Sequence, residues 1–186
     1  MKEAVERSEA VQVGQRIVVI GTSGSGKTTL AQKLSHCLDL PHVELDALHW
    51  EPDWQMAPIE QFRQRVRRAV ADESWVVDGN YSKVRDVIWS RADMVVWLDY
   101  PLTVILRRLL GRSLRRVIWQ EELWGGNREG WRQLLSRDSI ILWALGTYHR
   151  RRREYPELFA KPEYAHLSVI HLASPNETDQ WLEEIC

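Results

Sequence analysis

Two rhythms of apolar positions run along this chain. Short apolar runs of strand length, Arg16 to Ile20, His42 to Leu45, Trp75 to Val77, Met94 to Leu98 and His166 to Leu172, predict five strands. Between them, apolar residues recur three and four apart. Lys27 to Leu38 carries Leu30, Leu34 and Leu38 on one face. Pro58 to about Ala71 carries Ile59, Phe62, Val66 and Val70, with proline at the favoured first helical position. Leu102 to about Leu114, about Ser139 to Glu154 and Pro175 to Ile185 complete the predicted helices. The stretch from about Arg116 to Arg137 is less regular and holds Gly125, Gly126 and Gly130, and the first dozen residues read as a frayed or helical extension. Strands alternating with helices imply an α/β fold, a five-stranded parallel sheet with helices on both faces in three layers.

Composition adds limits. At 186 residues, 44% hydrophobic and 27% charged, the chain is long and apolar enough for one folded domain. It has no apolar run of about 18 residues, so no membrane span is expected. Met1 to Ala10 alternates charges without an apolar centre, unlike a signal peptide. A cytoplasmic protein with no membrane partner is the expectation. Cys37 and Cys186 are too few for a disulfide framework or a zinc site, and Cys37 lies in an apolar helical register that predicts core. Trp75, Trp97 and Trp143 also read as core.

A net charge of −1 argues against a generally basic nucleic-acid binder, but it conceals a segregation. Between Arg107 and Arg153 stand 12 Arg against four acids, which is +8 and leaves −9 elsewhere. Arg is the side chain suited to bidentate phosphate contacts.

The sharpest motif is Gly21-Thr22-Ser23-Gly24-Ser25-Gly26-Lys27-Thr28, followed by Thr29. It fits G-x-x-x-x-G-K-[ST] and lies between a predicted strand and a predicted helix, as a phosphate-cradling loop requires. Its glycines permit a tight turn whose N–H groups face a phosphate, and the helix N-terminus adds partial positive charge. Lys27 would reach the β- and γ-phosphates of ATP, and the Thr28 hydroxyl would ligate Mg²⁺. Asp46, Asp78 and Asp99 follow strands two, three and four, where ligands bind in open parallel sheets. Asp78 takes the position of a carboxylate that holds Mg²⁺ through water. Asp99 competes for that role, with Pro101 close behind and capping as its alternative.

These residues together resemble the P-loop nucleoside-monophosphate-kinase-like proteins, which include adenylate, shikimate and gluconate kinases. The resemblance spans about Arg16 to Ile185. Asp78-Gly79-Asn80-Tyr81 resembles the Asp-Gly-Phe-Pro-Arg motif of adenylate kinases, with Ser82 in place of its arginine and Arg85 one turn further on. Tyr100-Pro101 through Arg108 to Gly111-Arg112 resembles the segment leading to the adenylate kinase lid. That match implies that Arg108 and Arg112 contact ATP and the transferring phosphates. Arg151 resembles an arginine on the helix after the lid. Glu44-Leu45-Asp46 is similar to the Asp-x-Asp of shikimate kinases, whose second Asp contacts the acceptor hydroxyl. Leu45 to His49 is similar to the Asp-x-x-x-His stretch of gluconate kinases. Leu45 to Trp50, Trp75 to Tyr81, Val96 to Pro101 and Leu123 to Glu129 look like hallmarks of the adenylate-kinase-related, or topology modulation, group.

The resemblance implies an ATP- and Mg²⁺-dependent kinase with an acceptor region over about residues 46–74 and an Arg-rich lid over about 112–153. Arg112, Arg115 and Arg116 lie where the chain enters the lid and Arg150 to Arg153 where it leaves. Of the latter run, Arg151 and Arg150 are expected to face inward, since four consecutive residues cannot share one side. Trp50 and Trp54 stand where an acceptor binds in this fold and could stack on a base or sugar, with local packing as the alternative. Arg63, Arg67 and Arg68 share roughly one helix side and could hold a monophosphate, with a solvated face as the alternative. A nucleotide or nucleoside-like acceptor is the leading expectation and a sugar acid the next. A regulatory ATPase on nucleic acid ranks below them, because no recognition module is present.

Overall fold

The computed structural model describes residues 14–131 and 140–186. The first dozen residues and the middle of the expected lid, with Arg132, Arg137 and Asp138, lie outside the described residues. Five strands, β1 (Arg16–Gly21), β2 (His42–Glu44), β3 (Trp75–Asp78), β4 (Met94–Leu98) and β5 (Ser168–Leu172), form one sheet in the order β2-β3-β1-β4-β5. Every pairing is parallel, so each connection crosses over, as the strand–helix alternation predicts.

Among the described residues seven α-helices cover the sheet: α1 (Lys27–Leu38), α2 (Leu45–His49), α3 (Ile59–Ala69), α4 (Arg85–Trp89), α5 (Leu102–Trp119), α6 (Ile140–Phe159) and α7 (Pro175–Ile185). Alternate residues of β1 serve opposite faces. Ile17 and Val19 pack with Leu30, Leu34, Ile105, Leu109, Tyr148 and Trp181, from α1, α5, α6 and α7. Val18 and Ile20 pack with Phe62, Val66, Ile88 and Trp89, from α3 and α4. Period-two alternation thereby builds a three-layer sandwich with two apolar cores. Helix α6 serves both, placing Ala144 and Tyr148 in one core and Tyr155 and Leu158 in the other. It therefore carries the middle of its length, Arg150 and Arg151, from one face of the sheet to the other.

Several expectations change. Helix α5 runs to Trp119, five residues beyond the expected end, because Ile105, Leu109, Ser113 and Val117 keep a buried stripe at spacing four. It stops where Gln120 turns left-handed at φ 49°. The short helices α2 and α4 were not predicted, since five residues are too few for a period to register. Trp143 is not core but 54% exposed. Cys37 is not core either: it is exposed and joined to Cys186 in a disulfide, with Cα atoms 5.6 Å apart. Among the described residues no helix is long and apolar enough to cross a membrane.

Candidate active site

The phosphate-loop motif forms the turn between β1 and α1, and three of its glycines have positive φ. Gly24, at φ +84°, lies so close to α5 that a Cβ would meet Leu109 at 2.5 Å and the Ile105 carbonyl at 3.0 Å. Gly26, at φ 101°, immediately precedes α1. Asn80 braces the start of the loop: its amide donates to the Gly21 carbonyl and its Oδ1 accepts from the Gly21 N–H at 3.2 Å. Arg108 donates to the Ser25 carbonyl at 2.7 Å and lies over the Tyr100 ring, which places it against the loop. Ser23 through Thr29 line one cavity of about 2020 Å³, while Gly21 and Thr22 form the buried base of the turn.

Lys27 points into that cavity beside four charged groups. Burial first, and then the guanidinium of Arg151, lower its pKa from the ordinary lysine value to about 8; Asp46 and Asp78 act in the opposite direction and Arg112 in the same one. Lys27, Asp46, Asp78, Arg112 and Arg151, all singled out from sequence, are thereby brought to one place. Burial also lowers the pKa of Arg112 and of Arg151, and the buried Nε of Arg112 has no hydrogen-bond partner among the described residues. Arg151 donates to the Gly21 carbonyl at 3.5 Å. A buried donor without such a partner, beside other cations and in one cavity with the loop, fits a polyanion.

The strand-end acids sort themselves. Asp78, 5% exposed, accepts from the Thr28 hydroxyl at 2.6 Å on Oδ2 and meets His42 Nε2 at 2.8 Å on Oδ1. A hydroxyl and a carboxylate oxygen beside the loop are the hard donors that Mg²⁺ takes, so these residues fit the ion. Asp99 is occupied elsewhere, bonded to Arg152 at 3.0 Å and to His171 at 3.2 Å. Asp46 sits in the first turn of α2 and accepts from Tyr81 Oη at 2.5 Å. Burial and the neighbouring Asp46 charge raise the Tyr81 pKa, so its hydroxyl stays a donor.

Opposite the loop, the cavity is walled by His49, Trp50, Trp54, Tyr81, Arg85 and Trp124, among others. Trp50 and Trp54 meet edge to face at 5.6 Å. Arg85 lines the cavity but is bound to Glu154 at 2.9 Å. Arg63 binds Asp86 and the Lys83 carbonyl instead of facing the cavity, and Arg67 and Arg68 are exposed outside it, so the monophosphate role is not supported for these three. Arg150 and Arg151 do face the cavity.

Sequence reasoning missed a group of residues that hold the two sides together. Trp124 Nε1 donates to Glu44 Oε2 at 2.6 Å. Asn127, 5% exposed, donates to the Glu51 and Trp124 carbonyls at 2.8 and 2.7 Å and accepts from the Trp54 N–H at 2.8 Å. Gly125, at φ +67°, lies flat on the Glu51–Pro52 backbone, which a Cβ would meet at 2.8 Å. The sequence marked Leu123 to Glu129 as a hallmark stretch within a less regular segment, but not where that stretch docks.

No protein-family model matches the chain, and no curated protein does. Solved structures do match along nearly its whole length. Shikimate kinase from Acinetobacter baumannii in complex with shikimate is 14% identical, with a TM-score of 0.56, and the match covers 93% of this chain and 91% of that one. A gluconokinase from Sinorhizobium meliloti 1021 is 18% identical at a TM-score of 0.52 over 93% and 91%. Shikimate kinase from Bacteroides thetaiotaomicron is 16% identical at 0.52 over 90% and 94%. Together with the phosphate loop and the parallel sheet, these likenesses identify the fold of this chain as the P-loop, nucleoside-monophosphate-kinase-like α/β fold.

Proposed function

We propose that this protein is an ATP- and Mg²⁺-dependent kinase of a small molecule that offers a hydroxyl to Asp46. The observation that carries the reading is the meeting of Lys27, Arg112 and Arg151 with Asp46 in one cavity, phosphate loop on one side and aromatic walls on the other. Similarity in fold to shikimate kinases and a gluconokinase supports the same reaction class.

Residues 21–29 and Arg108 bind the nucleotide. Thr28 and Asp78 would hold Mg²⁺, which neutralises phosphate charge when bound. Lys27, Arg112 and Arg151 supply further positive charge where it develops on the transferring phosphoryl group. Asp46 orients the acceptor hydroxyl and takes its proton, while Tyr81 fixes the carboxylate by donating to its other side. Trp50 and Trp54 offer a flat face to a base or sugar ring. Arg63, Arg67 and Arg68 lie outside the cavity, which favours a nucleoside-like hydroxyl acceptor over a nucleoside monophosphate. A sugar acid is the second reading, favoured by Arg112, which lines the same cavity as Trp50 and Trp124. Nucleic acid is not the partner in this proposal. Arg115, Arg116, Arg128 and Arg152 of the basic stretch are paired with acids of the same chain, which leaves less of a basic face than +8 suggests.

The test is transfer of labelled phosphate from Mg·ATP to panels of nucleosides, nucleoside monophosphates and sugar acids. A hydroxyl compound should gain phosphate, and Lys27→Ala should lower the rate at least about 100-fold. ATP binding with no acceptor phosphorylated in any panel would overturn the kinase reading.

A further inference from the structure

The edge of the sheet beside the phosphate loop holds a set of three donors, of which the proposed reaction uses only Asp78. Strands β2 and β3 pair in parallel with Glu44 beside Asp78. His42 lies two residues before Glu44 and so on the same face of β2. The imidazole of His42 and the carboxylates of Glu44 and Asp78 each place one ligand atom within 4.8 Å of the others. A cation bonded at about 2.1 Å to each ligand needs those atoms roughly 3 to 4 Å apart. His42 Nε2 and Asp78 Oδ1, hydrogen-bonded at 2.8 Å, stand just inside that spacing, so a slight parting of these two atoms and a swing of Glu44 complete the set.

Two further observations point to a cation. Among the described residues, neither Glu44 nor Asp78 has a Lys or Arg ion-pair partner, although the surrounding cleft is rich in arginine; the one ion-pair partner of Asp78 there is His42. Both carboxylates are also held from behind by neutral donors. Trp124 Nε1 binds Glu44 Oε2 and the Thr28 hydroxyl binds Asp78 Oδ2, each at 2.6 Å. Ligand carboxylates in metal sites are oriented by outer hydrogen bonds of this kind. The two oxygens of Asp78 face different ways, Oδ2 toward Thr28 and Oδ1 toward His42.

We propose that His42, Glu44 and Asp78 form a second divalent-cation site, on the Oδ1 side of Asp78, that takes a transition ion such as Mn²⁺ in preference to Mg²⁺ and without nucleotide. One imidazole with two carboxylates is a mixed nitrogen and oxygen set that Mn²⁺, Co²⁺ or Zn²⁺ accepts, whereas Mg²⁺ favours oxygen alone and sheds water reluctantly. The site shares Asp78 with the Mg²⁺ position of the proposed kinase but does not require that activity.

The experiment uses the full chain with Mn²⁺ as the only added ligand. Loss of the free Mn²⁺ resonance in electron paramagnetic resonance reads the affinity, and pulsed measurement reads coupling to ¹⁴N. The expected result is one Mn²⁺ per chain with the ¹⁴N coupling of a bound imidazole, displaced by Mg²⁺ only at roughly tenfold higher concentration. His42→Asn retains a hydrogen-bonding side chain next to Asp78; it should lose the coupling and weaken Mn²⁺ binding about 10- to 100-fold. Bound Mn²⁺ without ¹⁴N coupling in the unaltered protein, or equal affinity in folded His42→Asn, overturns the site, as does absence of binding at millimolar Mn²⁺. Because neither ATP nor an acceptor is present, these outcomes are read separately from the phosphotransfer assay.

Discussion

Lys27 shows what burial does to a single cation. Its pKa near 8 means that the empty site holds a partly neutral amine in mildly alkaline solution. The sign follows from linkage: the unfolded chain keeps the ordinary higher value, so between about pH 8 and 10 it binds more protons and folding stability gains as pH rises. A bound polyphosphate reverses this by raising the Lys27 pKa. Nucleotide binding near pH 8 should therefore take up roughly half a proton, read by calorimetry in buffers of different ionisation enthalpy. Lys27→Met should abolish that uptake, and uptake unchanged in the variant would place the proton elsewhere. Asp46→Asn is expected to lower the phosphotransfer rate 10²- to 10⁴-fold while leaving ATP affinity intact, measured by initial rates and nucleotide titration. Much of this was legible in the chain, because the loop and the strand-end acids occupy fixed places in a repeating motif. Asn80 and Tyr81 stood in the quoted motif, yet their roles depend on where Gly21 and Asp46 come to lie, 59 and 35 residues away.

At the scale of elements, the segment after α5 and the loop after α2 behave as one structure. Asp53 and Trp54 both adopt positive φ, 58° and 56°, a conformation that costs non-glycine residues energy. Asn127 holds that turn through the Trp54 N–H and the Glu51 carbonyl. Removing its amide leaves those groups without their buried partner, so Asn127→Ala should destabilise the fold by about 1–3 kcal/mol. Hydrogen exchange should then accelerate over residues 50–56 while the β1, β3 and β4 amides stay protected. Uniform loss of protection would show a general role instead. Helices of ten residues or more announced themselves by period, and the bounds of α1 and α7 agree with that reading. Five-residue helices such as α2 and α4 leave no period to read, and the end of α5 was misjudged because arginines interrupt its apolar face while its buried stripe continues.

For the whole molecule, the order of the sheet and the crossing of α6 over it explain why the charges segregate. The body supplies carboxylates at its strand ends and α5 and α6 bring arginines to the same cleft. The alternation of elements was enough to predict a parallel sheet, but not which end of the chain meets which helix. Cys37 and Cys186 are 149 residues apart, a separation from which no pairing can be read. Closing so long a loop restricts the unfolded chain, so reduction should lower stability by about 2–5 kcal/mol. Thermal unfolding with and without reductant, repeated on Cys37→Ser, checks this: the variant should match the reduced protein and no longer respond to reductant.

That bond also alters what a cut to the backbone can do. Everything from Cys37, near the end of α1, to Cys186 lies inside a covalent ring, and this includes the acceptor loop, both arginine-bearing helices and four of the five strands. A single protease nick inside the ring opens it without releasing a piece, and the two new ends stay tethered through the Cys37–Cys186 bond. The surface loops of the cleft can thus be severed while the pieces stay joined, heavier by one water, and they separate only once the sulfurs are parted.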